Sequence, residues 1–396
     1  MKTAADGTLA PKARYVARGF QDPQKGTIAT EAPTASRHLL RVLIASVPTM
    51  DFCMRSFDVK RAFLQGRHFD ENEERIVVMI PPKEATEIPE MNTKSGQFWF
   101  LKKSVYGLCD ASRRWFDNVR DILLSKLGFT PCVLDEAIFL HHHESTLDAV
   151  LLIHVDDFLL VSKREVADDI EKAINENFEI GHSARDSFDF LGWSLRSNEN
   201  DVTLSQKGYS DKIAPISEDS MDDSTREKMR SLLGALQWAA QMRPDIAFSV
   251  SSLLGLPEYQ LENIKQVNRI VTLLHAKPNA GFRFVPLHGP ISLVAYSDGA
   301  LANLHDHASQ GGAVILMVDG KGNRNLAFFK TFRIKRVCRS SFASEVLSMV
   351  ETIDCLYEVI AMMSILQVKI AKVNLFTDSK SIVEHVTALC LSLIHI

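Results

Sequence analysis

The amino-acid sequence predicts an α+β fold with a mixed first half, a helical middle segment and a second, separate α/β unit. Two apolar runs, Val150 to Ile153 and Phe158 to Val161, have the length and composition of paired buried strands. Residues 220–275 show the apolar spacing of helices. From Ile291, strand-like runs separated by glycine-containing turns precede a helix and a further strand. This order is typical of an independent α/β domain.

The first half alternates helical and strand-like segments. The stretch "RHLLRVLIAS" has helical spacing, while "DFCMRSFDV" is predicted as a strand ending near Asp58 and "RIVVMIPP" as another strand. An amphipathic helix is predicted in "DASRRWFDNVRDILLSKLG", because its apolar residues share one face and Gly128 provides a stop. After the two apolar runs, a helix is predicted in "REVADDIEKAINENF" and a strand in "FDFLGWSLRS".

The second half begins with helices, of which "TREKMRSLLGALQWAAQ" is the clearest. The strand signals that follow are "ISLVAYSDG", "GGAVILMVDG" and "NLAFFKTF". A helix is expected from about Ser341, and "KVNLFTD" is predicted as the next strand.

Composition limits the class of protein. With 396 residues and 46% hydrophobic content, the chain can bury a large core divided between two or three domains. No apolar run approaches the length needed to cross a bilayer, so no membrane partner is expected. The N-terminus lacks the apolar segment of a signal peptide, which predicts an intracellular protein. The cysteines are scattered without a CxxC pair, so reduced thiols are expected.

Charge is unevenly distributed along the chain. The formal net charge is −4, yet residues 1–41 hold seven Lys or Arg against three acids. A local excess of positive charge steers an anionic ligand more than the total charge does. The basic residues of this segment are Lys2, Lys12, Arg14, Arg18, Lys25, Arg37 and Arg41.

Two adjacent carboxylates, Asp156 and Asp157, lie between the two apolar runs, where the chain must reverse. A shared sheet could bring them to Asp58, at the end of an earlier predicted strand. Converging carboxylates repel one another unless a cation neutralises them, and hard oxygen ligands favour Mg²⁺. Two such ions support phosphoryl transfer. The alternative is a simple polar β-turn, since Asp is common in turns.

Several motifs in order narrow these alternatives. The series "SFDVKRAFLQG", "KSVYGLCDASRRW", "HVDDFLLVS" and "FLGWSL" resembles the reverse transcriptase of copia-type retrotransposons. "KARYVARGF", "LLGALQWAAQMRPDIAFSVSSL" and "SDG" lie where that family has its fingers, its helices after the palm and the start of its ribonuclease H domain. The resemblance implies a right-hand polymerase with an antiparallel palm sheet and a helical thumb or connection. A ribonuclease-H-like α/β domain would follow.

The resemblance implies an RNA-directed DNA polymerase, with Asp58 and Asp156 as the principal metal ligands and Asp157 beside them. Two Mg²⁺ ions per active site are expected, with Mn²⁺ as an alternative. Phe63 matches an aromatic gate that would exclude a ribose 2′-hydroxyl, but it could equally be a core aromatic of a short helix. The implied partners are an RNA template, a DNA primer, dNTPs and other parts of the Pol or Gag-Pol polyprotein. The implied compartment is a cytoplasmic virus-like particle, the nucleus or both.

The basic residues Lys12, Arg14 and Arg18 would contact the incoming triphosphate or the template backbone through charge-assisted bonds. The alternative is a solvated basic surface.

The sequence departs from the family pattern in two places. The tyrosine of the family's "YVDD" is His154 here. After "YGL", where the family usually has Lys-Gln-Ala-Pro, this chain has Cys109, Asp110, Ala111 and Ser112. Because that segment helps to hold template and nucleotide, the acid at Asp110 is expected to affect fidelity or rate.

A second set of carboxylates, Asp298, Glu345 and Asp378, resembles three of the four metal ligands of ribonuclease H. Two metal ions there would activate a water molecule against the RNA strand of an RNA–DNA hybrid. The alternative is an ordinary small α/β domain with scattered acids. The family's fourth acid would follow Asp378, so the domain is expected to be incomplete, marginally stable and poor at cleavage.

The predicted domains are an N-terminally incomplete fingers and palm region (1–200), a helical thumb or connection (201–288) and a C-terminally incomplete ribonuclease-H-like domain (289–390). The last six residues, "LSLIHI", match the translation of a sequencing adapter, so 391–396 are predicted to be a foreign tail on a truncated chain.

Two competing functions remain. One is a catalytically degenerate retroelement remnant that keeps the fold and at most binds nucleic acid. The other is a different enzyme with a DxD-like metal site, such as a nucleotide-sugar transferase. The run His141 to His143 and the acids Asp186 and Asp189 are predicted to be surface residues, not metal ligands.

Overall fold

The structure is a computed structural model. It describes residues 2–3, 9–10, 15–69, 75–88, 91, 93–94 and 96–393. Within these residues, no helix is both long enough and apolar enough to span a bilayer. The cysteines that are described there, among them Cys53 and Cys355, carry free thiols.

The described chain contains both helices and strands, with runs of consecutive strands in each half and consecutive helices, within residues 207–276, between them. The helices are α1 (Arg37–Met50), α2 (Ala111–Ser125), α3 (Arg164–Asn177), α4 (Lys207–Ser210), α5 (Asp223–Ala239), α6 (Pro244–Leu254), α7 (Leu261–Ala276), α8 (Ser341–Ile365) and α9 (Lys380–Leu393).

The strands of the first half are β1 (Lys2–Thr3), β2 (Leu9–Ala10), β3 (Cys53–Val59), β4 (Val78–Met79), β5 (Trp99–Phe100), β6 (Thr130–Pro131), β7 (Ile138–His143), β8 (Thr146–His154) and β9 (Asp157–Ser162). Those of the second half are β10 (Ile180–Arg185), β11 (Ser187–Phe190), β12 (Trp193–Ser197), β13 (Val202–Ser205), β14 (Gly281–Phe284), β15 (Ile291–Ala300), β16 (Gln310–Val318), β17 (Arg324–Arg333) and β18 (Ile370–Phe376).

The chain divides into two compact units. The first contains Met1–Ala35, Ser56–Leu160 and Glu165–Ser183, and the second contains Ser36–Arg55, Val161–Arg164 and Ala184–Ile396. The domain boundaries predicted from the sequence divide the chain into consecutive segments, whereas each compact unit combines segments that are separate in the sequence. The predicted boundaries remain predictions.

A six-stranded sheet organises the first unit, in the order β10-β3-β9-β8-β7-β6. The two predicted apolar runs fall within β8 and β9, where nearly every side chain is buried. Trp115 of α2 is also buried and lies against the rings of Phe158 and Phe178, at centroid distances of 6.4 and 5.8 Å. This aromatic packing holds α2, and the residue that directly follows α3, against the sheet.

The second unit contains two four-stranded sheets, ordered β11-β12-β13-β14 and β17-β16-β15-β18. A separate apolar core joins α5, α6 and α7, with Leu233, Leu236 and Ile264 fully buried. These helices correspond to the helical segment predicted for residues 220–275.

One predicted strand is two strands in the structure. The stretch "FDFLGWSLRS" forms β11 and β12, which pair as Phe190 with Trp193 around a two-residue turn. Both turn residues, Leu191 and Gly192, have positive φ, at 52° and 76°. A turn with φ above zero at both central positions joins antiparallel strands tightly, and the glycine accepts this conformation without strain.

Candidate active sites

The first group of predicted carboxylates lies on adjacent strands of the six-stranded sheet. Asp58 is on β3, next to β9 in the sheet, and Asp157 is the first residue of β9. The backbone N–H of Val59 donates to the carbonyl oxygen of Asp156, at 2.8 Å. The fold therefore brings Asp58 beside a turn that lies about 100 residues further along the chain.

The turn that carries Asp156 is held by a buried side chain. Val155, which precedes it, has a φ of 57°, an uncommon conformation for a β-branched residue. The indole N–H of Trp115 donates to the carbonyl oxygen of Val155 at 2.6 Å. This bond fixes the backbone next to both acids, a role for Trp115 that its helical spacing does not reveal.

The electrostatics of Asp157 reflect its two acidic neighbours. Burial, followed by the negative charges of Asp156 and Asp58, raises the pKa of Asp157 to about 6. An ionised carboxylate in this position is destabilised unless a cation balances it.

The second group, Asp298, Glu345 and Asp378, is more compact. These three residues each offer a carboxylate oxygen, and the three atoms lie within 4.8 Å of one another. No other group of three potential ligands in the described part of the chain, including Asp58, Asp156 and Asp157, is as tight.

Glu345 is the inner member of the second group. Burial, then the charges of Asp298 and Asp378, raises the pKa of its carboxyl above the ordinary range. Its Oε2 atom is buried and has no hydrogen-bond partner among the described residues. A buried carboxylate oxygen without a donor is a suitable ligand for a hard cation.

Close packing between β15 and α8 brings this second group together. β15 pairs in parallel with β18, so Tyr296 lies opposite Phe376 and both strands lead to the same edge of the sheet. Gly299 is needed here, because a Cβ atom on it would lie 2.8 Å from the backbone nitrogen of Glu345. The hydroxyl of Ser348 donates to the carbonyl oxygen of Asp298 at 2.6 Å.

Comparison with known families identifies the chain. The profile of the family described as reverse transcriptase (RNA-dependent DNA polymerase) matches residues 2–226, more than half of the sequence. This chain belongs to the reverse transcriptase family.

Two relatives of this reverse transcriptase illustrate the match. The retrovirus-related Pol polyprotein from transposon RE1 of Arabidopsis thaliana is 26% identical over 384 residues, covering 89% of this chain and 24% of the relative. The transposon Ty1-DR5 Gag-Pol polyprotein of Saccharomyces cerevisiae is 22% identical over 419 residues, covering 95% of this chain and 22% of the relative. The chain spans about a quarter of the length of these relatives. The predicted relationship to copia-type Pol polyproteins is confirmed.

A solved structure supports the predicted fold class. The foamy viral protease-reverse transcriptase in complex with an RNA/DNA hybrid superimposes with a TM-score of 0.51 at 12% identity. The match covers 89% of this chain and 46% of the other. The predicted α+β polymerase fold is therefore confirmed.

Membership of the reverse transcriptase family implies the use of a divalent metal ion. The donor chemistry of both carboxylate groups fits such an ion, since every candidate ligand is a hard oxygen. The unpartnered Oε2 of Glu345 is the observation that fits best.

Of the predicted phosphate-binding residues, Lys12 and Arg14 lie outside the described residues. Arg18 is exposed and lines a cavity of about 1080 Å³ in the first unit. The backbone on either side of it is fixed, because the N–H groups of Ala17 and Gly19 donate to the segment that carries Gly107. Arg18 therefore projects from an anchored backbone.

Phe63 lies in a short 3-10 helix (Ala62–Gln65) directly after the strand of Asp58. Its ring is partly buried and lies 5.2 Å from that of Tyr106. It also packs against the small core formed by Ala17, Leu108 and Ala111. This packing fixes the ring and is compatible with both interpretations of Phe63.

Sequence reasoning missed a buried ionic network in the first unit. The Arg75 guanidinium contacts Asp22 at 2.6 Å and Asp110 at 3.2 Å, and Arg114 contacts Asp110 at 2.9 Å. The side chains of Arg75, Asp22 and Asp110 are less than 10% exposed. Burial lowers the pKa of Arg75, but its bonds to the two acids outweigh this effect and raise it overall. Asp110 thus has a structural partner that its motif did not indicate.

Four of the residues predicted to be surface groups, His142, His143, Asp186 and Asp189, are placed as expected, whereas His141 is half-buried, with 26% of its side chain exposed. His142 and His143 are exposed at the end of β7, and Asp186 and Asp189 are also exposed. His141 lies 3.8 Å from Asp148, and burial lowers the pKa of His141.

Proposed function

We propose that this chain is an RNA-directed DNA polymerase of a copia-type retrotransposon that uses Asp58, Asp156 and Asp157 as its metal-binding carboxylates. The observation that carries the proposal is the position of Asp58 beside the Asp156 turn, with the pKa of Asp157 raised by both neighbours. Carboxylates kept on adjacent strands despite mutual repulsion are the arrangement that two-metal phosphoryl transfer requires.

In this proposal each side chain has a defined task. Asp58 and Asp156 would hold two Mg²⁺ ions, and Asp157 would complete the site. When bound, such ions activate the attacking oxygen and neutralise charge on the phosphates. Trp115 would keep the turn in place through its bond to Val155. Arg18, with Lys12 and Arg14, would contact the triphosphate of the dNTP or the RNA template.

The direct test is primer extension by the purified 396-residue chain on RNA and on DNA templates, with Mg²⁺ and with Mn²⁺. Metal-dependent extension on RNA would support the proposal. Nucleic-acid binding without extension would favour the degenerate remnant instead. Transfer from a nucleotide sugar would favour the DxD-type enzyme, which leaves the compact carboxylates of the second unit without a function.

The Phe63 ring provides the first testable prediction. If it abuts the sugar of the incoming nucleotide, Phe63→Val should raise ribonucleotide incorporation relative to deoxynucleotide incorporation by at least about tenfold, because a steric barrier is removed. Competition assays with matched ribo- and deoxynucleotides would measure this ratio. Tyr106→Leu is the control, since it removes the ring packed on Phe63 and leaves Phe63 itself in place. Unchanged sugar selectivity in an active Phe63→Val enzyme would show that Phe63 is a core aromatic residue and not a gate.

The raised pKa of Asp157 predicts a pH-dependent stability. The folded pKa, about 6, exceeds the ordinary value of 3.8. The stability that this shift contributes is therefore fully present below about pH 4 and is lost as the pH rises through 6. Asp157→Asn should melt above the wild type at pH 7 and together with it near pH 4. Thermal unfolding in EDTA between about pH 4 and pH 7 would measure the difference in melting temperature between the two proteins. A difference that stays constant across this pH range would contradict the prediction.

We also propose that the second unit contains a ribonuclease H site at Asp298, Glu345 and Asp378, acting on the RNA strand of an RNA–DNA hybrid. The support is the 4.8 Å grouping of their oxygens and the unpartnered Glu345 Oε2. The ions would again be Mg²⁺, and other segments of the Pol polyprotein would be partners. The predicted boundaries of this domain, 289–390, belong to the same proposal.

Glu345→Gln should lower hybrid cleavage more than about 100-fold, because changes in groups outside the direct ligands already cost about 10–100-fold. Cleavage of a labelled RNA–DNA hybrid would measure the loss. Glu358→Gln is the matched control, since Glu358 lies on the same helix and is exposed. Equal cleavage by the two variants would exclude Glu345 from the site.

A further inference from the structure

Gly181 lies beside the Asp58 carboxylate in the first unit. It is on β10, which is at the end of the sheet order and next to the Asp58 strand, β3. A methyl group at position 181 would place its carbon 3.0 Å from Oδ2 of Asp58 and 2.9 Å from Cγ of Lys60. Both distances are shorter than normal van der Waals contact, so a side chain here would displace at least one of these groups.

The backbone on this side of the site cannot easily move away. The N–H of Lys60 donates to the carbonyl oxygen of Glu179 at 2.8 Å, and the N–H of Glu179 donates to Oε1 of Gln65 at 3.0 Å. Arg61 also donates to both carboxylate oxygens of Glu179, at 2.6 and 2.7 Å. These bonds tie the chain just before Gly181 to the segment that follows Asp58.

A requirement of the backbone itself does not explain the glycine. The φ of Gly181 is not among the positive values in the described chain, so residues with side chains can adopt its conformation. Glycine within a strand is unfavourable, because it loses more backbone conformational entropy on folding than other residues and has no side chain to pack. The remaining explanation is the space that the absent side chain leaves for Asp58 and Lys60.

We propose that Gly181 is a positioning residue of the polymerase site, whose lack of a side chain keeps the Asp58 carboxylate in its metal-binding place and lets the Lys60 stem lie alongside. The proposal rests on the function proposed for Asp58 and adds a residue to which no catalytic role is otherwise given. Gly181 contacts no substrate in this scheme and acts only through Asp58.

The expected effects separate metal binding from stability. Gly181→Ala should weaken divalent-metal binding by about tenfold and Gly181→Val by about 100-fold, the range typical of groups that orient a ligand. Neither variant should unfold more easily than the parent, because β10 is at the sheet edge and Gly181 is exposed. Valine in particular favours strands.

The experiment measures Mn²⁺ binding directly by titration calorimetry, in a parent chain carrying Asp298→Asn and Glu345→Gln to silence the second carboxylate group. Gly234→Ala is the matched control, because nothing lies within 4 Å of a Cβ atom at that position. Thermal unfolding and the Mn²⁺ concentration for half-maximal primer extension are measured on the same proteins. A graded loss of Mn²⁺ affinity at constant melting temperature would support the proposal.

Equal Mn²⁺ affinity in the parent and in folded Gly181→Val would overturn the positioning role and leave the polymerase proposal intact. A different outcome is a parent that extends no primer while Mn²⁺ affinity still falls from the parent to Gly181→Ala and further to Gly181→Val. That result would support Gly181 as a positioning residue of a metal site and refute the polymerase function.

Discussion

Replacing Asp156 with asparagine should abolish metal-dependent primer extension, with a loss of at least about 10³-fold. The substitution keeps the size of the side chain but removes one of the charges that would hold the metal ions. The loss should exceed the about 10–100-fold effect of changes beyond the direct ligands. Asparagine also tolerates turn positions, so the fold should persist. Single-turnover extension on an RNA template would measure the effect.

Asp186→Asn provides the control for this prediction. It makes the same change of charge at an exposed residue with a φ of 60°, which asparagine also accepts. Hybrid cleavage should be unaffected in both proteins, since Asp298, Glu345 and Asp378 are unchanged. If Asp156→Asn extended primers as fast as the control, Asp156 would not be a residue of the active site.

The second large effect is expected at Arg75. Arg75→Ala should lower the free energy of unfolding by about 3–5 kcal/mol, because it leaves the buried charge of Asp22 without a cationic partner and removes part of the positive charge that balances Asp110. Bonds to Arg75, partly offset by burial, keep the pKa of Asp22 below its ordinary value of 3.8. The stability that Asp22 contributes is thus present above about pH 4 and is lost as the pH falls below that value.

Denaturant unfolding of the full chain, followed by tryptophan fluorescence, would measure this loss at pH 7. Arg61→Ala is the control, because Arg61 forms a comparable but exposed ion pair with Glu179, expected to contribute about 1 kcal/mol or less. If the two variants lost equal stability, the network around Arg75 would be no more important than a surface ion pair. The sequence departure at Asp110 would then have no structural account.

The local features of the fold follow from the sequence alone. Residues 150–153 and 158–161 are apolar without interruption, so they form buried strands wherever they pack, and the acids between them must lie in the connecting turn. The helix that contains Trp115 follows in the same way from its spacing. The family is also recognisable from the order of several short motifs. These properties depend on neighbours in the chain.

The relations between distant segments depended on the tertiary structure. Spacing could not show that the Asp58 strand lies between β9 and β10, or that Gly181 of β10 leaves room beside Asp58. It likewise gave no sign that Arg75 pairs with Asp110 across 35 positions. Strand order and buried ion pairs are set by which surfaces pack together across long loops, and many pairings satisfy the same apolar pattern. The sequence alone determined which residues could act, and packing decided which of them meet.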